Sequence, residues 1–345
     1  MRQHHNTLYV TSQGTWLGKA DEAVEVRFKD KTKTKVPMHH LASIVAFGQV
    51  SISPYLMAAC AEQGIAINYL NEQGRFLARV IGPCHGNVML RRDQYRWADD
   101  PAACARLAQG FLLGKILNTR DLAKRRARMG DDPARKERLL GLAEALERHC
   151  DLVQAETELE VIRGHEGRAA KLWFDHYPDL LAGDPFFQWG GRSTRPPRDG
   201  VNAILSFIYM LVAHDCDSAL QSVGLDPQVG FLHVAKPGRP ALALDLMEEF
   251  RPLWGDRIAL RLINRRMLKK GDFEVQGSGA VLLNEAGRKK VIQAYQQEKR
   301  KETRHGFLGE QTTVGLLPHL QARLLARVIR GDVSAYPPLL GVIGC

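Results

Sequence analysis

Near Trp97 the chain changes its apolar rhythm, and that change constrains the fold more than any other feature. Upstream, Val24, Val26 and Phe28 alternate with Glu25, Arg27 and Lys29, the period-two pattern of a strand with one buried face. A turn at Lys29-Asp30-Lys31 leads into a second strand at Thr32 to Val36, and the apolar runs Ile44 to Phe47 and Ile65 to Leu70 read as two more. Between these runs Ser53-Pro54 opens and Gly64 closes one short helix. The strand-rich stretch is expected to run from residue 7 to about 92. Beyond Trp97, Ala98-Asp99-Asp100-Pro101 is a turn and a helix start, after which apolar positions recur every three or four residues. Helices are expected at about 101–128, 134–180, 200–223, 245–253, 285–304 and 317–330. The paired prolines at 337 and 338 cannot continue a helix, so the stretch from Tyr336 to Ile343 is either a packed tail or a docking segment.

A chain of 345 residues exceeds what one core usually supports, ~250 to 300 residues. The expectation is an α+β multidomain protein: a small N-terminal β-rich domain, residues 1–97, followed by a larger all-α domain, residues 98–345.

Charge narrows the partners. Lys plus Arg number 48 against 38 Asp plus Glu, a surplus that favours an anionic partner such as nucleic acid without naming one. Between Asp256 and Arg304 there are thirteen Lys or Arg against six Asp or Glu. The six cysteines, at 60, 84, 104, 150, 216 and 345, form no CxxC pair, which argues against a zinc finger or a disulfide framework and for reduced thiols in a cytosol. MRQHHNTLYV has no apolar signal core, and no run of about 18 apolar residues is evident, so a soluble cytoplasmic protein is expected.

Three residues interrupt apolar patterns in ways that allow chemistry. In VIRGHEGRAAKLWF (161–174) Glu166 lies at helical spacing from Ile162, Ala169, Ala170 and Trp173; a carboxylate on an apolar face is costly unless paired or coordinated. Pairing with Arg163, Arg168 or Lys171 is the plainer explanation. In GLDPQVGFLHVAKPGRPALALDLMEEFRP (224–252) His233 precedes a Pro-Gly loop, and Asp245 opens a helix carrying Glu248 and Glu249. His233 and Asp245 can face each other across that loop, and Glu248, three residues on, shares the Asp245 face. Equally, Asp245 is a helix-start acid favoured by the dipole and Glu248 part of a solvated face. A Glu, His and Asp set suits Mn²⁺ or Mg²⁺ better than Zn²⁺, and those ions serve phosphoryl chemistry. HExxH, Walker A, GxSxG and GxGxxG motifs are absent in their required contexts.

GHEGRAAKLWF, RPPRDGVNAILSFIYMLV (195–212) and GFLHVAKPGRPALALDLMEEFRP resemble, in order and spacing, the CRISPR-associated protein one family, and most nearly its type I-C branch. The resemblance implies the integrase of CRISPR spacer acquisition, in which the 3′-hydroxyl of a DNA fragment attacks a phosphodiester at the edge of a CRISPR repeat. It places the family's metal ligands on Glu166, His233 and Asp245, leaves Glu248 as an undecided fourth, and sets Arg163, Lys236, Arg239 and Asn202 near DNA, a structural role at a helix start being the equal alternative for Asn202. It implies Mg²⁺ or Mn²⁺ as cofactor. The implied partners are double-stranded DNA (protospacer and repeat), a second copy of the chain and CRISPR-associated protein two, with no membrane. A structural DNA-binding subunit without catalysis, or a nuclease acting on branched repair intermediates, are the alternatives.

Overall fold

A computed structural model describes residues 6–72, 76–80, 82, 88–129, 132–181 and 184–341. Cys84, Val342, Ile343 and Cys345 lie outside them. The chain forms two compact units, Met1–Gly86 and Asn87–Cys345.

The first unit contains β1 (Asn6–Val10), β2 (Trp16–Ala20), β3 (Ala23–Arg27), β4 (Lys33–Pro37), β5 (Leu41–Phe47), β6 (Ser51–Ile52), α1 (Pro54–Glu62), β7 (Ala66–Leu70) and β8 (Phe76–Val80). They build two four-stranded sheets, ordered β1-β5-β7-β8 and β4-β3-β2-β6. Val24 and Val26 face inward with Leu17, Ile44 and Ile67, as the alternation requires. Lys31 takes the left-handed conformation (φ 68°) in the turn expected there, and Asp30 Oδ1 accepts the Thr32 amide at 2.9 Å. Ser53 caps α1 by accepting the Leu56 amide, with Pro54 in the first turn.

The second unit is mostly helical: α2 (Val88–Ala98), α3 (Pro101–Ala127), α4 (Pro133–Ala155), α5 (Leu159–Asp175), α6 (Gly200–Ser222), α7 (Ala241–Met247), a π-helical turn at Arg251–Asp256, α8 (Arg257–Asn264), α9 (Glu285–Lys299) and α10 (Leu317–Ile329). Two short antiparallel pairs interrupt it: β9 (Phe273–Val275) with β10 (Val281–Leu283), and β11 (Glu302–Arg304) with β12 (Gln311–Thr313).

Several expectations shift. The strand-rich stretch stops at Val80, and Val88–Ala98 is a helix belonging to the second unit. The helix expected over 134–180 is broken at 156–158, because the Glu156 carboxylate accepts the Thr157 and Glu158 amides at 2.8 and 2.9 Å and draws the chain out of register. Asp245 does not open a helix; α7 begins four residues earlier, at Ala241. Among the described residues α6 alone is long and apolar enough to cross a membrane, and two thirds of its apolar window, 67%, is buried inside the unit, as in a core helix. The described cysteines Cys60, Cys104, Cys150 and Cys216 are free and buried. The tail resolves to the packed alternative: Tyr336 and Leu339 are buried, and the Tyr336 hydroxyl and Leu339 amide both donate to Glu249.

Candidate active site

Four segments converge on one cleft of about 230 Å³ in the helical unit. Helix α5 presents Glu166, α3 presents Lys115, the loop after α6 presents His233, and the end of α7 with the π-turn presents Glu248 and Arg251.

The His233 loop is shaped by Asp245. Asp245 is fully buried, and its two oxygens are saturated: Oδ2 accepts the Phe231 and Leu232 amides at 2.6 and 3.0 Å, while Oδ1 accepts the His233 amide at 2.8 Å and meets His233 Nδ1 at 2.7 Å. An ionised carboxylate only accepts, so Nδ1 carries a proton, and in the neutral imidazole Nε2 is the nitrogen that keeps its lone pair. This clamp needs Gly230, where a Cβ would stand 2.7 Å from Asp245 Oδ2 and from the Ala241 backbone. Gln94 of α2 holds the loop from the other side, donating to the Asp226 and Val229 carbonyls at 2.8 and 2.9 Å and accepting the Asp226 amide at 2.9 Å.

Glu248, not Asp245, reaches the cleft. His233 Nε2 lies 4.0 Å from Glu248 Oε1, and the same oxygen accepts from Arg251 Nε at 2.8 Å. The Lys115 ammonium sits between two carboxylates, hydrogen-bonded to Glu166 and 2.7 Å from Glu248 Oε2. Burial pushes the Glu248 carboxyl up, but Arg251, Lys115 and His233 outweigh it and hold it down at about 2. Burial pulls the Lys115 ammonium down, yet Glu248 and Glu166 return it above the ordinary lysine value. Both groups are charged at neutral pH.

The plainer pairings weighed for Glu166, with Arg163, Arg168 or Lys171, do not form: Arg163 pairs with Glu160 and Lys171 with Asp175. Its partner comes from 51 residues upstream. A lysine inside the largely buried α3 was the available signal, since such a cation needs an acid nearby. As the side chains stand, no three His, Cys, Asp or Glu among the described residues converge to hold an ion. Two carboxylates gripping one ammonium beside an imidazole with a free Nε2 nevertheless form a cation-seeking donor set of oxygen and nitrogen, which suits a hard divalent ion. Lys115 fills that place.

A family model described as CRISPR associated protein Cas1 matches residues 8–297 of the chain. The chain belongs to the Cas1 family. Among its relatives, the CRISPR-associated endonuclease Cas1 1 of Chlorobaculum tepidum is 48% identical over 341 residues, 99% of each chain. Two solved structures share the Cas1 fold. A casposase bound to its integration product superposes with a TM-score of 0.82 at 19% identity, covering 98% of this chain and 95% of the other. A chain of a Cas6-RT-Cas1 and Cas2 complex gives 0.81 at 21%, covering 99% and 36%. The β-rich start and mostly helical remainder are therefore those of Cas1 structures.

The other candidates divide by role. Arg163 Nε donates to the Leu232 carbonyl at 2.6 Å, tying α5 to the His233 loop. Asn202 is fully buried near the start of α6; its oxygen accepts from Arg192 (2.7 Å) and the Ser193 amide (3.1 Å), and its amide donates to Gly191 and Asp199. Lys236 is exposed and Arg239 partly so, on the turn after His233.

Proposed function

We propose that this chain is a metal-dependent DNA endonuclease and integrase of CRISPR spacer acquisition, of the type I-C branch. The observation that carries the reading is the pair of carboxylates, Glu166 and Glu248, closed on one cation next to a histidine whose tautomer Asp245 sets. The endonuclease name of a relative 48% identical over its whole length supports the chemistry, and the casposase solved with an integration product supports strand transfer on this fold.

In this reading Glu166, Glu248 and His233 Nε2 hold Mg²⁺ or Mn²⁺, and Asp245, placed among the ligands by the resemblance, orients His233 instead. The ion supplies polarisation of the phosphate and ionisation of the attacking hydroxyl or water. Arg251 pins Glu248 in its ionised form, and Asp245 keeps the imidazole lone pair turned to the cleft. A 3′-hydroxyl oxygen forms a bond to phosphorus, the repeat strand's bridging oxygen departs, and the hydroxyl proton passes to solvent or to the leaving oxygen. Water in place of the hydroxyl gives hydrolysis. The working assembly is a homodimer with CRISPR-associated protein two on double-stranded DNA in the cytoplasm, in line with the Cas2 complex in which this fold has been solved.

The test is strand transfer and DNA cleavage with Mn²⁺ by Glu166→Ala, His233→Ala and Glu248→Ala. Each should lose activity by about 100-fold or more, and chelation should silence the wild type. Activity surviving chelator, or a Glu166→Ala protein as active as wild type, would return the chain to a DNA-binding scaffold.

A further inference from the structure

The cleft continues along α5 past the carboxylates, to Trp173 and Phe174, and its far end carries a guanidinium that the chemistry above does not use. Arg192, in the loop before α6, lines this end with Thr194, Tyr209 and Asp256. It is partly buried, and burial holds its pKa below the ordinary arginine value. Yet among the described residues no carboxylate pairs with it. Its contacts are neutral: Nη1 donates to the Ser193 carbonyl (2.9 Å), Asn202 Oδ1 (2.7 Å) and Ser206 Oγ (3.3 Å), and Nη2 reaches only Ser206 Oγ at 3.4 Å. A guanidinium has five N–H donors in a planar fork, so among the described residues part of this one, which lines the cleft, has no acceptor.

The nearby acid is committed elsewhere. Asp256 accepts the Tyr209 hydroxyl at 2.8 Å, and burial pushes its carboxyl up to about 6. Arg251 is bound to Glu248. Two rings frame Arg192: its guanidinium carbon lies 5.8 Å from the Phe174 centroid and 5.5 Å from that of Tyr209, whose ring also carries Arg251 at 4.5 Å. Arg192 thus shares an aromatic neighbour with the guanidinium that grips Glu248. A partly buried cation held in place, without a carboxylate partner among the described residues and sharing the Tyr209 ring with Arg251, suits an anion arriving from outside.

We infer that Arg192 is the anchor of a second subsite, binding the non-bridging oxygens of a DNA backbone phosphate neighbouring the one that reacts. This rests on the reading of DNA as substrate. It gives Asn202 a role as well, since that amide holds both Arg192 and the Ser193 backbone, and makes it a positioning residue for the subsite. Gripping a neighbouring phosphate fixes the strand's register against Glu166, Glu248 and His233, which is what aligned phosphoryl transfer demands.

The experiment is duplex DNA binding, read without turnover, for wild type, Arg192→Gln and Arg192→Lys, with a substrate series in which single phosphates are replaced by neutral methylphosphonates. In wild type one replacement near the reaction position should weaken binding about tenfold. Arg192→Gln should be blind to that replacement and should show a salt slope lower by about one. Arg192→Lys should keep the slope and show a reduced effect at the same position. An Arg192→Gln protein that melts like wild type but keeps its slope and its full methylphosphonate pattern overturns the subsite, as does a wild type with no position-specific effect. Should Arg192→Gln not fold, Arg192→Lys decides: a full wild-type effect at that position overturns the inference and a reduced one supports it. Wild type that shows the effect yet cuts nothing sinks the enzymatic reading and leaves the subsite standing.

Discussion

At the residue scale the clearest division of labour is between Asp245 and Glu248, three positions apart on one turn. Asp245 spends both oxygens on three backbone amides and an imidazole, whereas Glu248 spends its own on cations in the cleft. Asp245→Asn replaces one acceptor oxygen by a donor, so at least one of those bonds becomes a clash of like partners. Stability should drop by about 1–3 kcal/mol, and activity by roughly 10–100-fold through a misplaced His233; melting and cleavage assays read the two effects separately. Glu248 predicts a pH dependence. Its folded carboxyl sits near 2 against an ordinary 4.5, so the stabilisation is complete above pH 4.5 and is lost as pH falls towards 2. Thermal melting of wild type across that window should show the loss, and Glu248→Gln should flatten it. The residue types were legible in the sequence because a lone acid on an apolar helix face stands out locally. Which acid turns to the cleft was not, since Asp245 and Glu248 share a helix face and only their neighbours across the fold distinguish them.

Among elements, the segment that carries Glu248 into the cleft is held from behind. Glu249 faces away from the cleft and receives the Tyr336 hydroxyl, the Leu339 amide and Gln321, while Asn118 of α3 binds the Leu339 carbonyl at 2.8 Å. The C-terminal tail is thus a packed strap across α3, α10 and the end of α7. Tyr336→Phe strips a donor from Glu249 and a partner from Gln321, and should cost about 1–3 kcal/mol in unfolding free energy by denaturant titration; an unchanged midpoint would mean that the strap bears no load. Caps and periodicity placed α1, α3 and α6 within a residue or two, because those signals lie within a few positions of the ends they mark. Helix α2 was hidden: it is only eleven residues long and its middle, Arg91-Arg92-Asp93-Gln94, is charged and polar, so its role in clamping the 226–229 loop through Gln94 emerges only from packing.

For the whole molecule, charge behaves differently in space than along the chain. In the basic stretch from 256 to 304, Arg257, Arg261 and Lys301 surround the single buried Glu298, Lys290 pairs with Asp272, and Lys299 with Asp215. Part of the surplus is structural, leaving Arg265, Arg266, Lys269 and Lys270 among the exposed cations. The sequence by itself determined the β-rich start and the helical remainder and marked out Glu166 and His233, which the fold then brings to one cleft, because periodicity, caps and long motifs are relations between near neighbours. Only the tertiary structure decided that Lys115 closes the carboxylate pair, that Asp245 serves His233 while Glu248 serves the cleft, and that no carboxylate among the described residues pairs with Arg192. Those facts depend on burial and on charges brought together from segments tens of residues apart, and desolvation, which sets the worth of each charge, exists only once the chain has packed.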